Sequence, residues 1–168
     1  SQNRITYGTI FFPLSFFILV TLFWDYPELI IISLSILAFA DPIAAKVGEL
    51  IKDSSNFIIW HDKKSIEGTI TFFMCTVAIV YSGSVLLFDF STTYYLLFTI
   101  FVSLGATIAE ITSYRGSDNF SIPIVSILFM ICFFELIPPS NKILLDVFID
   151  ARIIIIFIIL SAFIIAYY

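Results

Sequence analysis

The chain has 168 residues, of which 60% are hydrophobic and 12% are charged, and its mean hydropathy is +1.07. A soluble chain has about 25% charged residues, so this composition excludes a soluble globular domain and is typical of an integral membrane protein. The net charge of −5 and the lack of a basic patch predict that nucleic acid is not a partner.

Six apolar segments follow one another along the chain, at 7–24, 29–45, 69–88, 94–111, 121–137 and 153–168. Each is close to the roughly 20 residues that an α-helix needs to span about 30 Å of hydrocarbon. The sequence therefore predicts an all-α, polytopic membrane protein with about six transmembrane helices in a single domain, 1–168.

The positive residues are distributed unevenly between the predicted connections. If the N-terminus with Arg4 is cytoplasmic, the polar loops 46–67 and 113–120 face that same side, and six of the eight Lys and Arg residues lie there. Positive residues are enriched in cytoplasmic loops. The pattern predicts a multi-pass protein of a prokaryotic cell membrane or the endoplasmic reticulum, with both polar loops in the cytoplasm.

The second apolar segment is short, with only twelve apolar residues, 29–40, before Asp41. Twelve residues of helix extend about 18 Å, which is less than a full crossing. Asp41 therefore either lies within the inner half of the bilayer or marks a break in the helix. Pro42 favours the break, because proline has no N–H for the preceding turn but suits the first position of a new helix, which Asp41 would cap.

Four carboxylates and two lysines are predicted near one cytoplasmic surface: Asp41, Glu67, Glu110, Asp118, Lys63 and Lys64. Carboxylates are suitable ligands for Mg²⁺, and lysines bind phosphate oxygens. A site of this composition is typical of enzymes that handle a nucleoside triphosphate. Other interpretations stay open at this point: Asp41 as a plain helix cap, Lys63 and Lys64 as ordinary positive-inside residues, and Glu110 as a packing or interfacial carboxylate.

Three motifs in chain order resemble those of the membrane lipid kinases that use CTP, the group of dolichol, phytol and farnesol kinases and the CTP-dependent diacylglycerol kinase. The motifs are Asp41-Pro-Ile-Ala-Ala-Lys-Val-Gly48, then Lys63-Lys-Ser-Ile-Glu-Gly-Thr69, then Glu110 and Asp118-Asn119 with Pro123. The first two are also similar to motifs of phosphatidate cytidylyltransferases, a related membrane family. The resemblance covers roughly residues 4–125. Family members usually have one or two further helices ahead of this region, and the first residue is Ser, so we expect a shortened version.

The resemblance implies a kinase that transfers the γ-phosphoryl group of CTP to the hydroxyl of a long-chain lipid alcohol such as a polyprenol, dolichol or phytol. Mg²⁺ would be the cofactor, held by Asp41 and Asp118, and membrane lipids would surround the substrate. The catalytic residues would be Asp41, Lys64, Glu67, Glu110 and Asp118, with Glu110 as a candidate acceptor of the hydroxyl proton. The nucleotide-binding residues would be Gly48, Lys63, Lys64, Ser65, Gly68 and Asn119.

Two alternatives remain beside the lipid kinase. Nucleotidyl transfer, as in the cytidylyltransferases, would need a His-Gly-Gly element that this chain lacks, since its only histidine, His61, precedes Asp62. A small transporter or channel subunit would need carboxylates near the bilayer midplane, whereas the predicted ones gather at one surface. The identity of the lipid alcohol and the oligomeric state stay open.

Overall fold

The structure, a computed structural model, describes residues 7–51, 56–59 and 62–138. Six α-helices and a two-stranded hairpin make up this part of the chain: α1 (Gly8–Phe23), α2 (Pro27–Ser35), a π-helical turn (Ile36–Ala40), α3 (Asp41–Leu50), β1 (Asn56–Ile59), β2 (Asp62–Ser65), α4 (Ile66–Leu87), α5 (Thr92–Thr112) and α6 (Asp118–Leu136). The prediction of a largely helical protein is confirmed for these residues.

Four helices are long and apolar enough to cross a membrane: Pro27–Leu50, Ile66–Leu87, Thr92–Thr112 and Asp118–Leu136. They correspond to the second to fifth predicted segments. The first predicted segment forms α1, which has 16 residues and so extends about 24 Å. The sixth predicted segment, 153–168, lies outside the described residues.

The expected helix break at Asp41-Pro42 is wrong. Asp41 has helical backbone angles, φ −62° and ψ −54°, and the chain is helical without interruption over Pro27–Leu50. Instead of breaking, the helix widens into the π-helical turn Ile36–Ala40 directly ahead of the proline. A π-helical turn can accommodate a residue that lacks an N–H within a continuous helix. Asp41 is therefore an interior residue of a long helix and caps nothing.

The predicted loop 46–67 is also more ordered than expected. Helix α3 continues to Leu50, and the strands Asn56–Ile59 and Asp62–Ser65 pair in an antiparallel hairpin, Asn56 with Ser65 and Ile59 with Asp62. Helix α4 begins immediately afterwards at Ile66. The hairpin thus leads directly into α4, and the second motif lies at this junction. We call this end of the bundle, where α3 and α5 end and α4 and α6 begin, the hairpin end.

The core of the bundle lies along α5 and α6, which pack most extensively on each other. Gly105 permits the close approach, because a Cβ there would lie 2.2 Å from Cγ of Phe129. At the end opposite the hairpin, aromatic rings of the α4–α5 connection pack against α6, and Phe98 and Phe134 stack with centroids 5.2 Å apart. The Tyr95 hydroxyl donates to the Phe88 carbonyl over 2.8 Å and accepts from the Phe90 N–H. This packing fixes the helices relative to one another and thereby the residues at the hairpin end.

Candidate functional site

Lys64 joins the hairpin to the end of α5. Its Nζ donates to Oε1 of Glu110 over 2.6 Å, to the Glu110 carbonyl over 2.9 Å and to the Ser113 hydroxyl over 3.0 Å. The two charged side chains are 18% and 10% exposed, so the ion pair is largely shielded from solvent. All three ammonium hydrogens therefore have partners, and Lys64 must exchange one of them before it can bind a phosphate oxygen.

The carboxyl end of α5 explains why a lysine is stabilised there. The last carbonyls of a helix lack partners within the helix and carry a partial negative charge. Here the Glu110 carbonyl accepts from Lys64 Nζ, from the Ser113 hydroxyl over 2.7 Å and from the Ser113 N–H over 3.1 Å. Ser113, which the sequence did not single out, completes the cap. Its only sequence signal was its place at the edge of the second polar loop.

Asp41 and Asp118 lie near this ion pair. The half-buried Asp41 carboxyl interacts electrostatically with three groups, repulsively with Asp118 and Glu110 and attractively with Lys64. Asp118 opens α6, and its Oδ1 accepts the Asn119 N–H over 2.8 Å. Elements far apart in sequence thus bring three carboxylates and one ammonium together at the hairpin end.

Ser65, Gly48 and Gly68 pack α3 onto α4. The Ser65 hydroxyl caps α4 by accepting the Gly68 N–H over 3.1 Å. A Cβ at Gly48 would lie 2.7 Å from that hydroxyl, and a Cβ at Gly68 would lie 3.3 Å from the Ala44 carbonyl. The two glycines therefore allow two helices to approach closely. This packing role is visible directly, whereas the expected nucleotide contact of these residues stays a prediction.

Asn119 connects the site to α1. A Cβ at Gly8 would lie 2.6 Å from Nδ2 of Asn119, and the Ser15 hydroxyl donates to the Asn119 carbonyl over 2.9 Å. The turn ahead of α6 also holds the chain before α1, since the Tyr7 N–H donates to the Arg115 carbonyl over 3.1 Å. The sequence did not reveal these contacts, because they pair segments more than a hundred residues apart.

The two remaining predicted site residues, Glu67 and Lys63, lie in the first turn of α4 and in the hairpin. Glu67 lies in the first turn of α4 and is partly buried. Lys63 lies opposite Ile58 in the hairpin register, and its side chain lies outside the described part of the structure. His61 lies outside it as well. The structure thus places Lys64, Glu110, Asp118 and Asp41 together and puts Glu67 at the start of the adjoining helix.

Two of these carboxylates, Asp41 and Asp118, are candidate ligands for a divalent cation whose coordination a substrate would complete. Among the described residues, no three His, Cys, Asp or Glu side chains could hold a metal ion by themselves. Mg²⁺ is usually bound by one or two carboxylates together with water and substrate phosphates. Asp41 and Asp118, whose mutual repulsion a cation would relieve, have the chemistry of such a pair.

Comparisons of the chain with protein-family models, with curated proteins and with solved structures found no match. The resemblance to the CTP-dependent lipid kinases therefore still depends on the motifs in the sequence.

Proposed function

We propose that the protein is a membrane lipid kinase that transfers the γ-phosphoryl group of CTP to the hydroxyl of a long-chain lipid alcohol. The observation that supports this proposal best is the convergence of Asp41, Lys64, Glu110 and Asp118 at the hairpin end. These residues come from three separate sequence motifs, and a charged cluster at the edge of an apolar bundle suits a reaction between a polar nucleotide and a membrane-embedded alcohol.

In this proposal each charged residue has a role that its surroundings permit. Asp41 and Asp118 would hold Mg²⁺, which neutralises phosphate charge when it is bound. Lys64 would exchange one of its three hydrogen-bond acceptors for an oxygen of the γ-phosphate. Oε2 of Glu110 is buried and has no hydrogen-bond partner among the described residues, so it is available to accept the hydroxyl proton. The alcohol oxygen would then form the new bond to the γ-phosphorus as the bond to the leaving CDP breaks.

The reaction is tested by supplying CTP labelled separately at the α and γ phosphates to the purified protein in detergent with Mg²⁺. A panel of polyprenol, dolichol, phytol and diacylglycerol, with phosphatidate added, covers the substrate classes. Label that reaches a lipid alcohol only from the γ position is the expected result. Label that reaches phosphatidate only from the α position would replace the kinase with nucleotidyl transfer, and no transfer from either position would contradict both.

The site is tested with Asp41→Asn and Asp118→Asn in the same assay. We expect each variant to lose at least about 100-fold in the rate of phosphoryl transfer, which is the scale on which preorganised charge acts in catalysis. Asp89→Asn is the matched control, because Asp89 is exposed in the α4–α5 connection at the opposite end of the bundle and should keep the full rate. Folded Asp41→Asn and Asp118→Asn proteins with unchanged rates would show that the site is assigned wrongly.

A further inference from the structure

Many serine and threonine hydroxyls in the described helices, eight of 18, bond to a carbonyl three or four residues earlier in their own helix. Eight do so: Ser15, Ser33, Thr71, Ser82, Ser84, Thr107, Thr112 and Ser126. This is the usual way for a hydroxyl to be satisfied within a membrane-crossing helix. Four buried hydroxyls depart from it: Thr69, Thr76, Thr99 and Ser103 have no hydrogen-bond partner among the described groups.

These four hydroxyls belong to one pair of neighbouring helices. Thr69 and Thr76 lie on α4, and Thr99 and Ser103 lie on α5, which packs against α4. On α5, positions 99, 103, 107 and 110 all fall within about 80° of the helix circumference. They form a single polar stripe along α5 that leads to Glu110. We call these four residues, together with Glu110, the hydroxyl seam.

The seam reaches the middle of the bundle. Thr76 lies ten residues into α4 from Ile66, which is about 15 Å, and Ser103 lies nine residues before the end of α5 at Thr112, which is about 14 Å. Helices α4 and α5 are antiparallel neighbours, joined by Lys64 and Glu110 at one end and by the Tyr81–Tyr95 ring contact further along. Thr76 and Ser103 therefore lie at similar depth in the bundle. That depth is near the midpoint of both helices.

Burial makes unpartnered hydroxyls unfavourable at that depth. Thr76 and Ser103 are fully buried, and Thr99 is 2% exposed. A buried hydroxyl without a partner lowers the stability of the fold, because hydrocarbon supplies no alternative partner. None of these hydroxyls bonds to a carbonyl of its own helix, so a partner is to be sought in the seam between the helices.

We propose that the hydroxyl seam binds a short file of water molecules that extends from Glu110 to the bilayer midplane. Water fits because the seam offers neutral hydroxyls that both donate and accept, and buried waters bond to otherwise unsatisfied polar groups. A bare monovalent cation fits less well, because α4 and α5 are unbroken and their carbonyls are engaged within the helices. Oε2 of Glu110, also buried and without a described partner, would be the polar end of the file.

The far end of the seam is closed. Beyond Thr99, the end of the bundle is filled with aromatic rings, among them that of Phe98, which packs against Phe88, Phe90, Phe133 and Phe134. The file is therefore a dead end that hydrates the Lys64–Glu110 pair from within the membrane, and it is not a channel. This inference does not depend on the proposed kinase activity.

The test is water-edited solid-state NMR on the full chain, labelled with ¹³C-serine and ¹³C-threonine, in bilayers of deuterated lipid. It measures how fast magnetisation passes from water protons to each side chain. Ser103 and Ser126 form a matched pair, since both are fully buried near the middle of their helices but only Ser126 bonds to a carbonyl, that of Ile122. Ser103→Ala, Ser126→Ala, Thr76→Val and Thr99→Val serve only to assign the signals.

We expect Ser103, Thr76 and Thr99 to receive water magnetisation at least about threefold faster than Ser126. Equal, slow transfer to Ser103 and Ser126 would show that the seam is dry and would overturn the proposal. Transfer to Ser103 that is present in sodium chloride and lost in choline chloride would also overturn it, by assigning the seam to a monovalent cation with its hydration water.

Discussion

Lys64 and Glu110 form a largely buried ion pair at the edge of an apolar helical bundle. Removing ions from water is expensive, and the attraction within the pair offsets that loss only when the remaining hydrogen-bonding groups are satisfied. Lys64 meets this condition with three acceptors, whereas Glu110 leaves Oε2 without a described partner. The asymmetry indicates that the carboxylate, and not the lysine, has an oxygen left over to bind something else.

We therefore expect Lys64→Met and Glu110→Gln each to lower the free energy of unfolding by about 3 kcal/mol, because each leaves a shielded charge without its partner. The double variant should lose at least about 1 kcal/mol less than the sum of the singles, since the two residues are in direct contact. Chemical unfolding in detergent measures all three.

The control for this cycle is Lys46→Met. Lys46 and Glu49 form an ion pair of 3.5 Å whose side chains are 68% and 72% exposed, and such surface pairs contribute between about 0 and 1 kcal/mol. Additive losses at Lys64 and Glu110, or losses no larger than that of Lys46→Met, would show that the pair contributes nothing special to the fold.

At the scale of elements, the contact between α3 and α4 holds the motif residues in place. Gly48 and Gly68 face each other across this contact, and a Cβ at either position would lie within 2.8 Å of the same Ser65 hydroxyl. That hydroxyl also caps α4. One small region therefore sets the distance between the helix that carries Asp41 and the hairpin that carries Lys64.

We expect Gly48→Ala to lower the free energy of unfolding by about 1–2 kcal/mol, because its Cβ would push the Ser65 hydroxyl out of the cap and separate the helices. Gly83→Ala is the matched control on α4. Its Cβ would lie 2.9 Å from Cγ1 of the buried Ile32 and would touch no helix cap, and alanine gains up to about 1 kcal/mol in helix propensity at both positions. A Gly48→Ala variant as stable as Gly83→Ala would show that the helices adjust freely. Thermal unfolding in detergent compares the two.

For the whole molecule, the hairpin, the start of α1 and the α5–α6 turn lie at one end of the bundle, and the α1–α2 and α4–α5 connections lie at the other. This arrangement agrees with the side assignment expected from the positive residues. Which face of the membrane the hairpin end occupies stays a prediction from charge.

That prediction is tested by single cysteines in a Cys75→Ala, Cys132→Ala background, which removes the two native thiols. A membrane-impermeant maleimide applied to intact cells should react at Ser91→Cys and not at Lys46→Cys, and both should react after permeabilisation. These positions are exposed at opposite ends of the bundle. Reaction of Lys46→Cys in intact cells would invert the assignment, because positive residues would then lie outside.

Sequence alone determined the number and place of the apolar segments within the described residues, because the thickness of the bilayer sets the length of a helix that crosses it. It also indicated Asp41, Lys64, Glu110 and Asp118 as candidate site residues. A charged side chain beside an apolar segment is unfavourable unless it has a partner or a function. It was wrong about the break at Asp41, because local helix signals cannot show that a π-helical turn will accommodate Pro42.

Only the tertiary structure decided which of these residues are partners. No local pattern encodes the packing that joins these segments and orients their side chains. Examples are the pairing of Lys64 with Glu110, the cap made by Ser113 and the contact of Asn119 with Gly8. The hydroxyl seam depends on it as well, because the sequence does not show whether a threonine hydroxyl bonds to its own helix, as in Thr107, or has no partner there, as in Thr76. The hydrophobicity of a residue can be read from the sequence one residue at a time, whereas its hydrogen-bond partner depends on how the helices assemble.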